Sequence, residues 1–328
     1  MQETVEDRAR PPVRMLASVA LALLLTPPLA VAVAALSGIG HRWIDLVAQF
    51  TGPALIIAVA IVAAAAAMRA RALLMAAVVV SALVLFAGSA QWAPPRGTAE
   101  PGSATLTLYS ANLHRDNEDV AAIRRSVQAS GADLVVLIEV GPVPASALDR
   151  ILAGYPHRVI RPSLDRAPGA TRSVIAGRRP VADVRPRIRA LSVVGARAET
   201  ALGPVTVAGV HMTRPWPYQI QWEQIRQAEG LVDWAAATPG PLLAAGDFNS
   251  VSSARIGSQL KANGRLIPAP GWPGTWPSEL PPFAGITIDQ VYRSPELALV
   301  ERRLGRDTGS DHRPVITRFV RATPQPAP

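Results

Sequence analysis

Apolar residues dominate the first ninety positions of this 328-residue chain, where charged residues are few. Three apolar stretches follow one another there, at residues 15–36, 51–68 and 72–90. Each approaches the ~20 residues that an α-helix needs to cross a hydrocarbon core of ~30 Å. A Pro-Pro pair interrupts the first stretch, which a membrane helix tolerates better than a soluble helix does. Residues 1–90 are therefore predicted to form an anchor of three transmembrane helices; three successive stretches disfavour the alternative, a hairpin buried in a soluble protein.

Arginines in the short connecting segments predict the orientation of this anchor, because cytoplasmic loops carry an excess of basic residues. Arg8, Arg10 and Arg14 precede the first stretch, and Arg69 and Arg71 separate the second from the third. The connection between the first two stretches carries one arginine, which one aspartate offsets. Placing the basic sides in the cytoplasm leaves everything after the third stretch outside the cell membrane. A cleaved signal peptide, suggested by A-V-A near the end of the first stretch, would change the number of spans but not this side.

The rest of the chain has the mixed polarity of a globular domain. Residues 91–103 are rich in Pro and Gly and predict a linker, residues 104–322 one domain, and residues 323–328 a disordered tail. Within the domain, apolar runs typical of strands alternate with helical periodicity, which predicts an α/β fold with helices layered on mixed sheets. Strands are predicted at 106–112, 134–140, 173–176, 198–200, 205–211, 242–245, 287–292 and 314–319, and helices at 118–130, 218–236 and 254–262.

The net charge and the cysteine content limit the partners and the kinds of catalytic site that the domain can have. The formal net charge is +9, and residues 104–328 carry 26 Lys and Arg against 19 Asp and Glu. A positive domain favours anionic partners such as phosphates, nucleic acid or acidic lipid headgroups. The chain has no cysteine, which excludes disulfides, a thiol nucleophile and a Cys-ligated metal.

Polar side chains occur where the predicted strands end, the position at which α/β folds tend to build their sites. Each of them alone is as readily explained by a turn or by a solvated strand end. Together they are costly to assemble unless they share a ligand. The set comprises Asn112, Glu139, His211, Asp247, Asn249, Asp289, Asp311 and His312.

These residue types point to phosphoester hydrolysis. Carboxylate oxygens suit Mg²⁺ or Mn²⁺, and neither cysteine nor an H-E-x-x-H motif indicates zinc. Asparagine amides bind phosphate oxygens without adding negative charge. A histidine beside a carboxylate suits proton transfer or charge stabilisation. A metal, a base and a charged histidine around a tetrahedral anion describe a metal-dependent phosphoesterase.

The order of these residues resembles the endonuclease/exonuclease/phosphatase (DNase I-like) superfamily over residues 104–321. Its most specific elements here are G-D-F-N at 246–249 and S-D-H at 310–312. The resemblance implies a four-layered α/β sandwich, in which two packed mixed sheets are flanked by helices. That fold would follow the three predicted transmembrane helices.

The resemblance also implies roles for each residue. Asn112, Glu139 and Asp311 resemble metal-binding residues of the superfamily, and Asn112 and Asn249 resemble the amides on the metal and phosphate side. Five positions resemble its catalytic residues: Asp247 orients or deprotonates water, Asp289 is the carboxylate partner of His312, His211 protonates the leaving group, and Asn249 assists at the phosphate.

Some features depart from this pattern. His114 occupies the position of a second acid in some nucleases, and the carboxylate partner of His211 is not evident, with Asp165 as a candidate. Trp216, Trp272 and Trp276 are as consistent with a substrate cleft as with packing. The arginine- and aromatic-rich insertions with which repair nucleases grip duplex DNA are not evident, so a nucleic-acid partner is not expected.

An anchor followed by this domain resembles bacterial membrane proteins of the VanJ type, which are associated with glycopeptide resistance. That resemblance implies a multi-pass cell-membrane protein acting outside the cytoplasm on a lipid-linked phosphate or pyrophosphate of cell-wall synthesis, such as undecaprenyl pyrophosphate. Tethering near the bilayer would raise the effective concentration of such a substrate. The alternatives are an extracellular nuclease, a phosphodiesterase acting on phospholipid headgroups, and a catalytically degenerate module that binds anionic ligands.

Overall fold

Residues 11–162, 171–215 and 221–323 are described by the computed structural model. The chain divides into two units, an N-terminal unit (Met1–Ser89) and a C-terminal unit (Ala90–Pro328). The N-terminal unit consists of helices α1 (Pro11–Leu36), α2 (Arg42–Ala48), α3 (Thr51–Ala67) and α4 (Arg71–Ala87), and α5 (Ser89–Trp92) follows.

Small residues bring the apolar helices of the N-terminal unit together. Ala32, Ala58 and Ala77 are fully buried where α1, α3 and α4 pack, as expected for helices that approach closely through small side chains. Arg14 at the start of α1 donates a hydrogen bond to the carbonyl of Met68, just after the end of α3 (3.3 Å). The basic ends of these helices therefore lie on one side of the unit.

Of the three predicted transmembrane helices, only one has by itself the length and apolar composition that crossing a membrane requires. Val13–Leu36 is long and apolar enough to cross a membrane by itself. The helix Arg42–Ala48 together with Thr51–Ala67 passes the same test only as one span bent by 55°. Arg71–Ala87 has 17 residues, which rise about 26 Å at 1.5 Å per residue, less than a ~30 Å hydrocarbon core. The apolar run is long enough in sequence, but the helix formed from it is short.

The C-terminal unit contains two six-stranded mixed sheets. The first has the order β11-β12-β1-β2-β4-β3 and the second the order β5-β6-β7-β8-β10-β9. The strands are β1 (Leu106–Asn112), β2 (Leu134–Val140), β3 (His157–Pro162), β4 (Arg172–Gly177), β5 (Val181–Val184), β6 (Ser192–Ala198), β7 (Val205–His211), β8 (Leu242–Asp247), β9 (Ile267–Pro268), β10 (Asp289–Arg293), β11 (Leu297–Leu304) and β12 (Val315–Arg321); the helices are α6 (Val120–Ser130), α7 (Pro142–Ser146), α8 (Leu148–Ile151), α9 (Gln221–Ala237) and α10 (Arg255–Leu260).

Three layers of buried apolar side chains hold four layers of structure together. One core lies between the two sheets, where Leu108, Val136 and Val207 are fully buried. A second lies between the first sheet and α6 to α8, and a third between the second sheet and α9 and α10. The predicted sandwich of two mixed sheets flanked by helices is confirmed.

Most predicted elements are present, with instructive exceptions. β1, β2 and β7 have the predicted bounds, because each is a buried, mainly apolar run with a polar residue at or next to its end. The strand predicted at 198–200 is wrong: the strand ends at Ala198, and the Thr200 hydroxyl forms a turn by accepting a hydrogen bond from Leu202 N. The first residues of the helix predicted from 218 lie outside the described residues.

Residues 91–103, which were predicted to be a linker, pack onto the rest of the C-terminal unit. Gly271 N donates to the carbonyl of Gln91 (2.7 Å), and the buried Arg293 donates to the carbonyl of Pro95 (2.6 Å). Thr323, the first residue of the predicted tail, donates its N–H to the carbonyl of Thr98 (2.9 Å). Residues 324–328 lie outside the described part of the chain.

Candidate active site

The topology brings the predicted polar residues to one edge of the two sheets. β1 and β2 are parallel, as are β7 and β8, so Asn112, Glu139, His211 and Asp247 stand at the carboxyl ends of strands that point the same way. β10 is antiparallel to β8, and its first residue, Asp289, lies opposite Asp247. We call this end of the C-terminal unit the site edge.

A β-bulge directs Glu139 to the site edge. The pairing of β2 with β4 shifts register between Leu137 and Val140, so one extra residue is inserted there. Leu137 and Val140 both face the helix-side core, and Glu139 adopts a left-handed φ of 51° between them. This conformation costs a non-glycine residue about 1–2 kcal/mol. Sheet pairing and the hydrogen bond from Arg115 N to the Glu139 carboxylate (3.3 Å) hold it in place.

The G-D-F-N turn fixes Asp247 in a similar way. Asn249 has a φ of 47°, and its N–H donates to Asp247 Oδ1 (2.7 Å). The Asn249 side chain donates to the carbonyl of Met212 (2.8 Å) and to Asp247 Oδ2 (3.2 Å). Gly246 is required before it, because a Cβ there would lie 2.0 Å from the carbonyl oxygen of Val210.

Two carboxylates, an amide and a histidine form one contiguous cluster. Asn112 Nδ2 lies 3.2 Å from both Glu139 Oε1 and Asp247 Oδ2, and so bridges the two sheets. His211 Nε2 lies 3.1 Å from Glu139 Oε1. Asn112 and Asp247 are each only 1% exposed and Glu139 is 7% exposed, so this polar cluster is shielded from bulk water.

Asp289 and His312 form a second, adjoining pair. Asp289 Oδ2 and His312 Nδ1 are 2.9 Å apart, and both side chains are buried. Thr275 Oγ1 accepts the N–H of Asp289, and Ser310 Oγ accepts the N–H of His312. His312 Nε2 points towards Asp247 Oδ2 at 4.0 Å, so Asp247 connects the pair to the first cluster.

Burial and charge give these groups different proton affinities. Burial raises the pKa of Asp247 to about 6, against the opposing charge of His312. Burial alone would lower the pKa of His312, but the charges of Asp289, Asp247 and Asp311, together with the hydrogen bond to Asp289, raise it to about 10. Burial likewise opposes ionisation of Glu139, yet His211, Asn112 and His312 leave the pKa of that carboxyl below its usual value. At neutral pH His312 is therefore an imidazolium beside the carboxylates of Asp247, Asp289 and Asp311.

Among the described residues, the donor set fits a divalent cation. Ligand atoms of Glu139, His211 and Asp247 lie within 4.8 Å of one another, and so do those of Asp247, Asp289 and His312. The first group fits better, because His312 Nδ1 is occupied by Asp289 while Asn112 adds a polar side chain beside Glu139. The carboxylate and amide oxygens of this group are the ligands that suit Mg²⁺ or Mn²⁺.

A match to a protein-family model identifies the family to which the chain with this site belongs. Residues 109–312, which include every member of both clusters, match the model of the Endonuclease/Exonuclease/phosphatase family. The chain belongs to this family. Its members are phosphoesterase hydrolases, among them phosphatases and DNA-processing enzymes, and they typically use divalent metals.

Solved structures of the Endonuclease/Exonuclease/phosphatase fold agree with this assignment. A family protein from Beutenbergia cavernae is 20% identical with a TM-score of 0.55, over 66% of this chain and 72% of that one. A mannosyl-6-phosphatase of Bacteroides thetaiotaomicron is 18% identical (TM-score 0.51, 66% and 99%), and D. rerio TDP2 complexed with a single-strand DNA product is 17% identical (TM-score 0.50, 66% and 99%). At these identities the likeness shows the fold alone. A search among curated proteins found none that matches this chain.

The other residues noted in the sequence lie around these clusters or outside the described residues. Asp311 belongs to neither group of possible metal ligands, but its Oδ1 lies 3.9 Å from His312 Nε2 and has no hydrogen-bond partner among the described residues, and its Oδ2 accepts from Trp276 Nε1 (3.2 Å). The carboxylate beside His211 is Glu139. Asp165 and Trp216 lie outside the described residues. Trp272 stacks on Trp92, with ring centroids 6.0 Å apart, and so packs within the unit.

Three residues that support the site were not predicted from the sequence. Thr275 binds the backbone of Asp289, and Gln224 of α9 donates to the carbonyls of Phe248 and Asn249 (both 3.2 Å). Arg302 of β11 donates to the carbonyl of Pro273 (2.9 Å) and keeps one buried nitrogen without a described partner. A threonine, a glutamine and an arginine carry no motif by themselves. Only their positions in the fold connect them to the site.

Proposed function

We propose that the chain is a membrane-anchored, metal-dependent phosphoesterase whose site lies outside the cytoplasm. The observation that carries this proposal is the junction of the two clusters at Asp247, which neighbours both Asn112 (3.2 Å) and His312 (4.0 Å). A carboxylate poised to take a proton thereby adjoins a buried imidazolium and a group suited to a cation. This combination serves the attack of water on phosphorus.

Asp247 is the proposed base. Its pKa, raised to about 6, leaves it ionised at neutral pH yet readier to accept a proton than an ordinary aspartate. Asn249 holds it through two hydrogen bonds, so the carboxylate is oriented towards the water. The water oxygen bonds to phosphorus as its proton passes to Asp247, and the ester or anhydride bond to the leaving oxygen breaks.

His312 is assigned to the negative charge that develops on the phosphoryl oxygens, and His211 to the proton that the leaving oxygen needs. His312, held as an imidazolium by Asp289, stabilises negative charge on the phosphoryl oxygens. His211 is the candidate that gives a proton to the leaving oxygen. Asn112 and Asn249 are assigned to the phosphate, to which their amides add no negative charge.

Within the first group, Glu139 would hold a divalent cation together with Asn112, which leaves Asp247 and His211 for proton transfer; the cation would neutralise charge on the phosphate when bound. Asp311 remains a candidate for the same role, since its buried Oδ1 lacks a partner among the described residues. Without a cation, Glu139 and Asp247 would repel an anionic substrate.

The substrate that best suits an anchored site is a lipid-linked phosphate or pyrophosphate, such as undecaprenyl pyrophosphate of cell-wall synthesis. The helix Val13–Leu36 supports anchoring. The hydrogen bond between Arg14 and Met68 supports a multi-pass topology, since it puts the basic end of α1 beside the arginines at 69 and 71. With that side in the cytoplasm, the C-terminal unit is extracytoplasmic.

The full chain purified in detergent provides the test. We expect phosphate release from a polyprenyl pyrophosphate in Mg²⁺ or Mn²⁺, loss of release on chelation, and loss in Glu139→Gln. Glu199→Gln is the matched control, because Glu199 is an exposed carboxylate one residue beyond β6, at the end of that strand away from the site edge. Parallel assays use phospholipid, sugar phosphate and DNA.

Each rival function has its own outcome in this experiment. Hydrolysis of DNA alone would identify a nuclease, and hydrolysis of phospholipid headgroups alone a phosphodiesterase. Binding of the anionic ligands without turnover of any of them would identify a degenerate binding module. Activity unchanged by exhaustive chelation would refute the metal requirement.

A further inference from the structure

Several large apolar side chains of the C-terminal unit are exposed in segments connected to the site. In the described part of this unit six of them are exposed: Val143, Ile160, Trp222, Leu280, Phe283 and Val300. Four of these lie in segments that adjoin site residues along the chain or through hydrogen bonds: Val143, Trp222, Leu280 and Phe283. Val143 is four residues after Glu139, and Trp222 is two residues before Gln224, which binds the G-D-F-N turn.

Leu280 and Phe283 stand on a loop that is fastened to the site. Phe283 is 55% exposed and Leu280 45%. Arg313, next to His312, donates to the carbonyls of residues 277, 278 and 280. Ser278 N donates to the carbonyl of Asp311 (2.8 Å). Exposed apolar side chains on a loop that hydrogen bonds hold beside a polar site indicate a surface for interaction with another molecule.

Two exposed arginines lie near these side chains, alongside the acidic residues Glu279, next to Leu280, and Glu223, next to Trp222. Arg115 and Arg214 are both exposed; Arg115 N binds the Glu139 carboxylate, and Arg214 follows His211 by three residues. Arginines beside exposed aromatic and aliphatic side chains are the composition of surfaces that lie in the headgroup region of a bilayer. Their charge complements anionic lipids.

The chain also enters the C-terminal unit at the site edge. The Ala90 carbonyl accepts a hydrogen bond from Ser252 Oγ (3.2 Å), three residues beyond Asn249. The Gln91 side chain binds Thr287, two residues before Asp289. The chain that arrives at this edge carries the apolar helix Val13–Leu36.

We propose that the site edge docks on a lipid surface, with Phe283, Leu280 and Trp222 inserted among the headgroups and the arginines on anionic lipid. A lipid-linked phosphate then reaches Asp247 while its tail stays in the bilayer. This inference rests on the proposed function for its substrate, whereas the docking itself has a readout independent of turnover.

The native chain has no cysteine, so single cysteines report on docking directly. Phe283→Cys and Val300→Cys full chains are labelled with an environment-sensitive fluorophore and reconstituted in vesicles of phosphatidylcholine and phosphatidylglycerol. Val300 is the matched control, because it is 41% exposed on β11, away from the loop. We expect lipids that carry a quencher in the acyl chain to quench the label at 283 and not at 300.

Equal quenching at both positions, or at neither, would overturn the docking. The label at 283 could instead become shielded as the protein-to-lipid ratio rises, without being quenched by lipid. That result would show that a second copy of the chain covers this surface, and it would overturn the docking as well.

Turnover supplies the second readout. The Leu280→Ser/Phe283→Ser variant should hydrolyse a polyprenyl pyrophosphate in vesicles about tenfold more slowly than the parent, because apolar contact with the bilayer is lost. Its turnover of a water-soluble phosphoester should stay unchanged, as should both activities of Val300→Ser. Equal loss on both substrates would refute the docking role. If the parent hydrolyses nothing, the proposed function fails, and the quenching experiment still decides the docking.

Discussion

Replacing Asp289 by asparagine tests the central pair of the proposed mechanism. Asp289 Oδ2 and His312 Nδ1 are 2.9 Å apart, and the two side chains are 4% exposed. Asparagine keeps the size of the side chain and removes its charge. The largest of the interactions that raise the pKa of His312 is then lost, so this pKa falls from its raised value of about 10 and the imidazole becomes neutral at a lower pH.

The expected loss follows from the role assigned to His312. Removing one preorganised group that stabilises transition-state charge costs about 2.7–4 kcal/mol, or roughly 10²- to 10³-fold in kcat. His312→Ala should lose that much, Asp289→Asn nearly as much, and the double variant little more than the worse single variant, since residues that act as a unit are not additive. The assay is initial-rate phosphate release across pH, and the alkaline limb of the Asp289→Asn profile should move to lower pH.

The same pair should make folding stability depend on pH. The folded-state pKa of His312 lies above its ordinary value of 6.5, so the pair stabilises the protein fully below about pH 6.5 and loses this contribution as the pH rises through about 10. Breaking a buried pair costs about 3–5 kcal/mol. Thermal unfolding of Asp289→Asn should therefore differ from the parent more at pH 6 than at pH 10. Fully additive kinetic losses, or a pH-independent difference in stability, would refute the pairing.

The remaining predictions concern metal, water, backbone and orientation. Glu139→Ala should weaken metal dependence and turnover together, whereas Asp247→Ala should mainly lower turnover, as steady-state rates at varied Mg²⁺ would reveal. Gly246→Ala should lower the unfolding free energy by about 1–3 kcal/mol in denaturant titrations, because its Cβ would lie 2.0 Å from a carbonyl oxygen of the neighbouring strand. In intact cells, Pro101→Cys should react with an impermeant thiol reagent and Arg69→Cys should not; reversed labelling would put the site in the cytoplasm.

The local pattern of apolar and polar residues was sufficient to predict those strands whose residues are buried along their whole length. β1, β2 and β7 are mainly apolar runs with Asn112, Glu139 or His211 at or next to their last residue, and their predicted bounds hold. Strands that are buried on both faces give such near-continuous apolar runs, which makes them recognisable in the sequence. The same strand ends supplied the candidate residues.

The pattern of apolar and polar residues did not predict segments that are only partly buried. β11 was not predicted, because Glu301, Arg302 and Arg303 break its apolar run on a strand that is only half covered. Residues 91–103 were predicted to be a linker from their Pro and Gly content. They are fixed instead by contacts with residues far along the chain, such as that between Pro95 and Arg293.

The amino-acid sequence by itself determined the fold class, the identity of the clustered polar residues and the presence of apolar N-terminal helices, because each is written in local composition and order. Tertiary structure alone decided that Glu139 is the neighbour of His211 and that Asp247 joins two clusters. It also decided that Arg313 holds an apolar loop beside the site. These are contacts between residues distant in the chain, and their energies depend on distances that only the packing of the two sheets fixes.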